Sequence, residues 1–222
     1  MTEQISLPET AAFTKGVYTQ VLNRPAGDDK RPALFLDRDG AVVVEAHYLH
    51  EVDKVKLIEG AAETIRAANE LGIPVIFVTN QAGVGYGYFG WDAFLAVQER
   101  ILGDLAELGA SVDGVYACPF HEKGKPPYDH PDHPARKPNP GMLLSAADAM
   151  NIDLGRSWIV GDRAGDIGAG FNAGLRGGIH VLTGHGEREG EREQALDFND
   201  ERFQSIGADS IAGVPDLIDL FN

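Results

Sequence analysis

A single cysteine, Cys118, stands in 222 residues, so no intramolecular disulfide is available to staple the fold. Long apolar runs are lacking as well. No stretch approaches the roughly 20 residues needed to cross a bilayer, and the first thirty residues lack the apolar centre of a secretory signal. Basic residues are scarce: 19 Lys and Arg stand against 34 Asp and Glu, for a net charge of -15. A protein must neutralise phosphates to hold nucleic acid or an anionic membrane, so this balance argues against both partners. The expectation is a cytoplasmic monomer acting on a small molecule. Hydrophobic residues make up 43% of the chain, enough for the core of one ordinary domain.

The chain alternates strand and helix signals. Residues 1–31 are mixed and polar, an N-terminal extension with one short element expected over Phe13 to Leu22. The domain proper is expected to span 32–222. Ala33 to Asp37 is a short apolar run that reads as a buried strand. Glu59 to Leu71 carries apolar residues at helical spacing, with Gly72 placed to cap it. Strands are expected at Pro74 to Thr79, Val112 to Cys118, Ser157 to Gly161 and Gly178 to Leu182. Helices are expected at Trp91 to Leu108, Met142 to Met150, Ala164 to Ala173 and Asp216 to Phe221, with a charged loop or helix over Gly184 to Arg202. Between them Pro119 to Pro140 is dense in Pro, His and Asp. This alternation predicts an α/β fold, a doubly wound and mostly parallel sheet. Such sheets bind ligands outside the carboxyl ends of their strands.

Polar motifs fall at those ends. Asp37-Arg38-Asp39-Gly40 follows the first strand. Residues i and i+2 of an extended segment share a side, so Asp37 and Asp39 can both face the crevice, where paired carboxylates favour a cation of the magnesium type. On its own the motif also suits a plain polar turn. Thr79-Asn80-Gln81 ends another strand and can hold phosphoryl oxygens. Arg136-Lys137-Pro138 supplies positive charge, or is a solvated pair. Gly161-Asp162-Arg163-Ala164-Gly165-Asp166 offers a third carboxylate in Asp162. Asp166 suits either support of the site or capping of the helix it opens.

The order Asp-x-Asp, Thr, Lys, Gly-Asp-x-x-x-Asp resembles the haloacid dehalogenase (HAD) superfamily of phosphotransferases over Leu34 to Leu182. That resemblance implies a phosphatase with Asp37 as nucleophile, forming an aspartyl-phosphate, and Asp39 as general acid and then base. It implies magnesium between Asp37, the backbone carbonyl of Asp39, and Asp162, with Thr79 and Lys137 stabilising the phosphoryl group. The spacings leave no room for a large cap domain.

A finer resemblance is to the D-glycero-D-manno-heptose 1,7-bisphosphate 7-phosphatases and the related histidinol-phosphate phosphatases. Its carriers are the Asp37–Gly40 turn, Val78-Thr79-Asn80-Gln81, Arg136 to Met142, and Val160-Gly161-Asp162. It implies a phosphorylated sugar as substrate and contacts from Glu45, Ala46, His47, Tyr48, Asn80, Gln81, Ala82, Arg136 and Arg163. The family often carries a zinc loop of Cys-x-His and Cys-x-Cys before Arg-Lys. Here Phe120 fills the first His position, and His133 and Ala135 replace the cysteines. Cys118, His121 and His133 remain as a candidate structural zinc set within the loop 118–136, with His130 or Asp132 as a fourth ligand. The other reading is a metal-free loop.

Three other functions are weighed. A histidinol-phosphate or other small phosphomonoester phosphatase differs only in substrate. A phospho-accepting signalling module lacks an acid at the Asp39 position and is shorter. A nucleic-acid end-processing phosphatase conflicts with the net charge.

Overall fold

Short runs of fully buried apolar residues make the strands, and amphipathic runs between them make the helices. The structure is a computed structural model and describes residues 6–24, 27 and 29–221. Its strands are β1 Ala11–Thr14, β2 Val17–Val21, β3 Leu34–Leu36, β4 Val75–Asn80, β5 Gly114–Cys118, β6 Trp158–Gly161, β7 Gly177–Val181 and β8 Gln204–Ala208. Its α-helices are α1 Ala61–Glu70, α2 Ala82–Gly85, α3 Trp91–Glu107, α4 Gly141–Met150, α5 Ala164–Ala173 and α6 Glu191–Leu196.

All the strands join one 8-stranded sheet in the order β1-β2-β5-β4-β3-β6-β7-β8. From β5 to β8 every neighbouring pair is parallel, while β1 and β2 add an antiparallel edge through β5. Each face of the sheet carries its own core. Leu34 and Leu36 of β3 point to the side covered by Ile65 of α1 and by Phe94 and Ile101 of α3. Phe35, between them, points to the side covered by Leu143 of α4 and Ile167 of α5. That is the period-two alternation of a strand buried on both faces.

The chain leaves β3 towards β4 on one side and later returns to β6 on the other. The central strand therefore borders a switch point, where a crevice opens at the carboxyl ends. Between β3 and β4 the α-helix is α1, and between β4 and β5 the α-helices are α2 and α3. Neither connection holds a large cap.

Three elements differ from expectation. The N-terminal extension supplies β1 and β2, a hairpin that starts before the expected short element; its residues 1–5, 25, 26 and 28 lie outside the described residues. The expected closing helix over Asp216 to Phe221 is instead two 3-10 turns, Ile211–Asp216 and Asp219–Phe221. Pro215 has no backbone N–H to donate and interrupts any longer helix. The strand β8 follows α6 where no strand was expected; its residues are half-exposed for most of its length, so it lacks the apolar run that marks the others. Among the described residues no helix is long and apolar enough to cross a membrane.

Candidate active site

The crevice is organised by one buried ammonium. Lys137 closes the turn-rich loop, and its Nζ donates to Asp37 Oδ1 at 2.6 Å and to the Val78 carbonyl at 2.7 Å. The same nitrogen stands 2.7 Å from Asp166 Oδ1. The Lys137 backbone is held in turn by Asn80 at the end of β4. Asn80 Nδ2 donates to the Lys137 carbonyl, and the Lys137 amide donates to Asn80 Oδ1, both at 3.1 Å. This reciprocal pair fixes the lysine from strand β4 although it sits on a loop.

Asp37 follows β3 directly, and its amide donates to the Val160 carbonyl of β6 at 2.8 Å. Asp162 follows β6. Its Oδ2 accepts from the His185 amide at 2.7 Å, while Oδ1 is buried without a partner among the described residues. Gly40 and Gly184 pack so tightly on Asp162 that a Cβ at either position would collide with its carboxylate. Both also adopt positive φ, +94° and +62°, which disfavours any side chain there. Asp166 lies in the first turn of α5. Its Oδ2 accepts from the Arg163 amide at 3.0 Å, so it caps the helix and meets Lys137 at once. Both of the roles weighed for it are filled.

Asp37, Asp162 and Asp166 each offer an oxygen within 4.8 Å of the others. Burial pushes the Asp37 carboxyl up to about 7; Lys137 opposes this and the neighbouring Asp166 and Asp39 reinforce it. Asp162 is pushed up to about 8, by burial first and then by Asp37 and Asp166. Burial pulls the Lys137 ammonium down, but the Asp166 and Asp37 carboxylates outweigh it and the net shift is upward. Three buried acids with one lysine and one unpartnered oxygen fit a hard divalent cation with oxygen ligands.

Asp39 borders the same cavity as Asp37, with its carboxylate held by a separate set of contacts. Arg38 and Gln81 hold its carboxylate, Gln81 Nε2 donating to Oδ2 at 2.9 Å and to Thr79 Oγ1 at 2.9 Å. A cavity of about 390 Å³ lies over these groups. Of the residues expected to touch substrate, Glu45, His47, Tyr48, Asn80, Gln81, Ala82, Arg136 and Arg163 line it. Ala46 does not: it is half-buried and packs against the core. His47 and Tyr48 are non-glycine residues with φ of 47° and 62°, a conformation that persists where the surroundings impose it.

Sequence reasoning missed Tyr86, His185 and Arg188, which also line the cavity. His185 is buried with its Nε2 3.7 Å from Glu45 Oε2. Burial, followed by Arg163 and Arg188, pulls its imidazole down to about 4. These residues belong to no motif; only their position after a strand's carboxyl end offers a signal.

The candidate zinc residues are not gathered. Cys118 Sγ is 4.0 Å from His133 Nδ1, but the His121 ring packs against Tyr86 at 5.0 Å. His133 stacks face to face on Phe120 at 3.7 Å. The Nδ1 atoms of His121, His130 and His133 each accept a backbone amide two residues on. Burial pushes the Cys118 thiol up to about 11 in the metal-free protein. Among the described residues, the group of three or more Cys, His, Asp or Glu donors that gathers around one point is the acidic one, and zinc at this loop has no support. The loop is packed by its rings.

A family profile described as HAD-hydrolase-like matches residues 134–203. The chain is 51% identical over 147 residues to a D-glycero-beta-D-manno-heptose-1,7-bisphosphate 7-phosphatase of Mesorhizobium japonicum, covering 66% of this chain and 68% of that protein. It is 38% identical to the enzyme of the same name in Pasteurella multocida, covering 85% and 97%. Among solved structures it resembles the D,D-heptose 1,7-bisphosphate phosphatase of B. bronchiseptica, complexed with magnesium and phosphate. That match has a TM-score of 0.68 at 26% identity and covers 83% and 96% of the two chains.

Proposed function

Because the chain belongs to the D-glycero-D-manno-heptose-1,7-bisphosphate 7-phosphatase family of HAD-fold hydrolases, we propose that it removes the 7-phosphate of that bisphosphate through a covalent intermediate on Asp37. The observation that carries this reading is Lys137 bridging Asp37 and Asp166 opposite the unpartnered oxygen of Asp162. This sets a lysine-paired carboxylate beside buried acids suited to a divalent cation.

The chemistry follows in two displacements. Asp37 attacks phosphorus; the bond from phosphorus to the sugar C7 oxygen breaks, and Asp39 gives its proton to that oxygen. Asp39 then takes a proton from water. The water oxygen attacks phosphorus, the bond to Asp37 breaks, and inorganic phosphate leaves. Lys137 and Thr79 stabilise the equatorial oxygens in both steps. Magnesium, when bound by Asp37, Asp162 and the Asp39 carbonyl, supplies positive charge for those oxygens. Asp166 enters this reading as the second anchor of Lys137. Arg136, Arg163 and Arg188 border the same cavity and suit the phosphate that is kept. Zinc has no part in this reading.

A steady-state comparison of heptose bisphosphate, other sugar phosphates and histidinol phosphate tests the substrate. The expected result is the highest kcat/KM for the bisphosphate. Equal or greater kcat/KM for histidinol phosphate overturns it.

A further inference from the structure

Arg38 stands between the two aspartates of the first motif, and nothing in the chemistry above uses it. Its side chain is fully buried, one of the largest in the protein to be so. A guanidinium is rarely taken out of water without a partner that needs it. Here the partner is the adjacent residue. Arg38 Nε donates to Asp39 Oδ1 at 3.1 Å, and Nη2 donates to Oδ1 at 2.8 Å and to Oδ2 at 2.7 Å. The guanidinium carbon lies 5.4 Å from the centre of the Phe94 ring of α3, which gives it a second contact from the core side. Nη1 has no partner among the described residues. Among the described residues no other carboxylate engages the guanidinium.

The consequence falls on Asp39. A side chain with two rotatable bonds at the rim of an aqueous cavity ordinarily samples several rotamers. The rigid fork of Arg38 on one side and the Gln81 amide on the other confine it to one. We propose that Arg38 is a positioning residue that holds the Asp39 carboxylate in line with the oxygen that leaves phosphorus and the water that later attacks it. Lysine at this position offers a single point charge and no fork, so it cannot fix both oxygens. This inference rests on the acid–base reading of Asp39.

The test separates steps that need Asp39 from those that do not. Departure of an alkoxide needs a proton, whereas departure of 4-nitrophenolate does not, and kcat/KM reports steps up to phosphorylation of the enzyme. In Arg38→Met, kcat/KM for a sugar phosphate should fall about 100-fold, the size of a lost general-acid contribution. The kcat/KM for 4-nitrophenyl phosphate should fall less than about 5-fold, while its kcat falls more because hydrolysis of the phosphoenzyme slows. Arg38→Lys should show the same selective loss at smaller size, and it serves if the methionine variant fails to fold by near-UV circular dichroism. In the Asp39→Asn background, Arg38→Lys should add no further loss on the sugar phosphate. An equal fall for both substrates, or no fall in either variant, overturns the proposal. If Asp39→Asn itself turns over the sugar phosphate normally, it is the acid–base reading that falls. If Asp39→Asn is inactive while both Arg38 variants behave as wild type, only the role of Arg38 falls.

Discussion

Lys137, one hundred residues along the chain from Asp37, places its ammonium 2.6 Å from that carboxylate, with both side chains largely buried. The contact joins the strand-end motif to the turn-rich loop. Removing one partner of a buried pair leaves the other charge uncompensated. Lys137→Met should therefore abolish turnover and cost about 3 kcal/mol of stability without added metal. Urea unfolding in a chelator measures it, and magnesium should restore part of the loss by neutralising the same acids.

Stability should depend on pH in a definite direction. In the metal-free protein burial and the neighbouring acids push the Asp37 and Asp162 carboxyls up to about 7 and about 8, from an ordinary 3.8. Between pH 4 and 8 the folded state thus holds more protons than the unfolded chain. Stability is full below pH 4 with respect to these groups and is lost as pH rises through 7 to 8. Magnesium requires the ionised acids, so its affinity should rise over the same window. Urea midpoints at pH 5.5 and 8.5, with and without magnesium, give the comparison. A metal-free midpoint that does not fall at the higher pH contradicts the raised values.

Asn80 was expected to touch substrate, and it lines the cavity, but its amide is engaged with the Lys137 backbone. Asn80→Ala should lower kcat by roughly 10-fold, as expected when a positioning contact loosens by a fraction of an ångström. KM should change little. A raised KM with unchanged kcat assigns Asn80 to the substrate instead.

Gly184 abuts the Asp162 carboxylate from the loop after β7. Gly184→Ala must move that carboxylate or the loop. The magnesium concentration for half-maximal activity should rise by about 10-fold, in the range seen when the support of a metal ligand is disturbed. Isothermal titration with magnesium checks the same change without turnover.

Much of this site is legible in the chain because its chemistry is local. Asp37, Thr79 and Asp162 each sit where an apolar run stops, and strand ends are where a doubly wound sheet opens. Lys137 is legible only through its place in the four-part motif order, since alone Arg136-Lys137 also reads as a solvated pair. The double use of Asp166 is only half legible, since capping is local but the bond to Lys137 joins distant segments. His185 and Arg188 carry no spacing signal at all; the return of the loop after β7 brings them in. The histidines of the turn-rich loop are a related case. Their spacing allows a metal site, but spacing says nothing of Phe120 stacking on His133. The half-exposed β8 and the proline-broken C-terminal turns likewise depend on tertiary packing and lack a strong period.

The most direct measurement is to trap the intermediate. The Asp39→Asn variant is mixed with 4-nitrophenyl phosphate, whose leaving group needs no proton, quenched in acid within a second, reduced with borohydride, and mapped by peptide mass spectrometry. An aspartyl-phosphate is reduced to homoserine, so the expected result is conversion of Asp37 alone, with none in an Asp37→Asn control. Conversion at another carboxylate, or retained steady-state turnover by Asp37→Asn, would contradict a covalent role for Asp37.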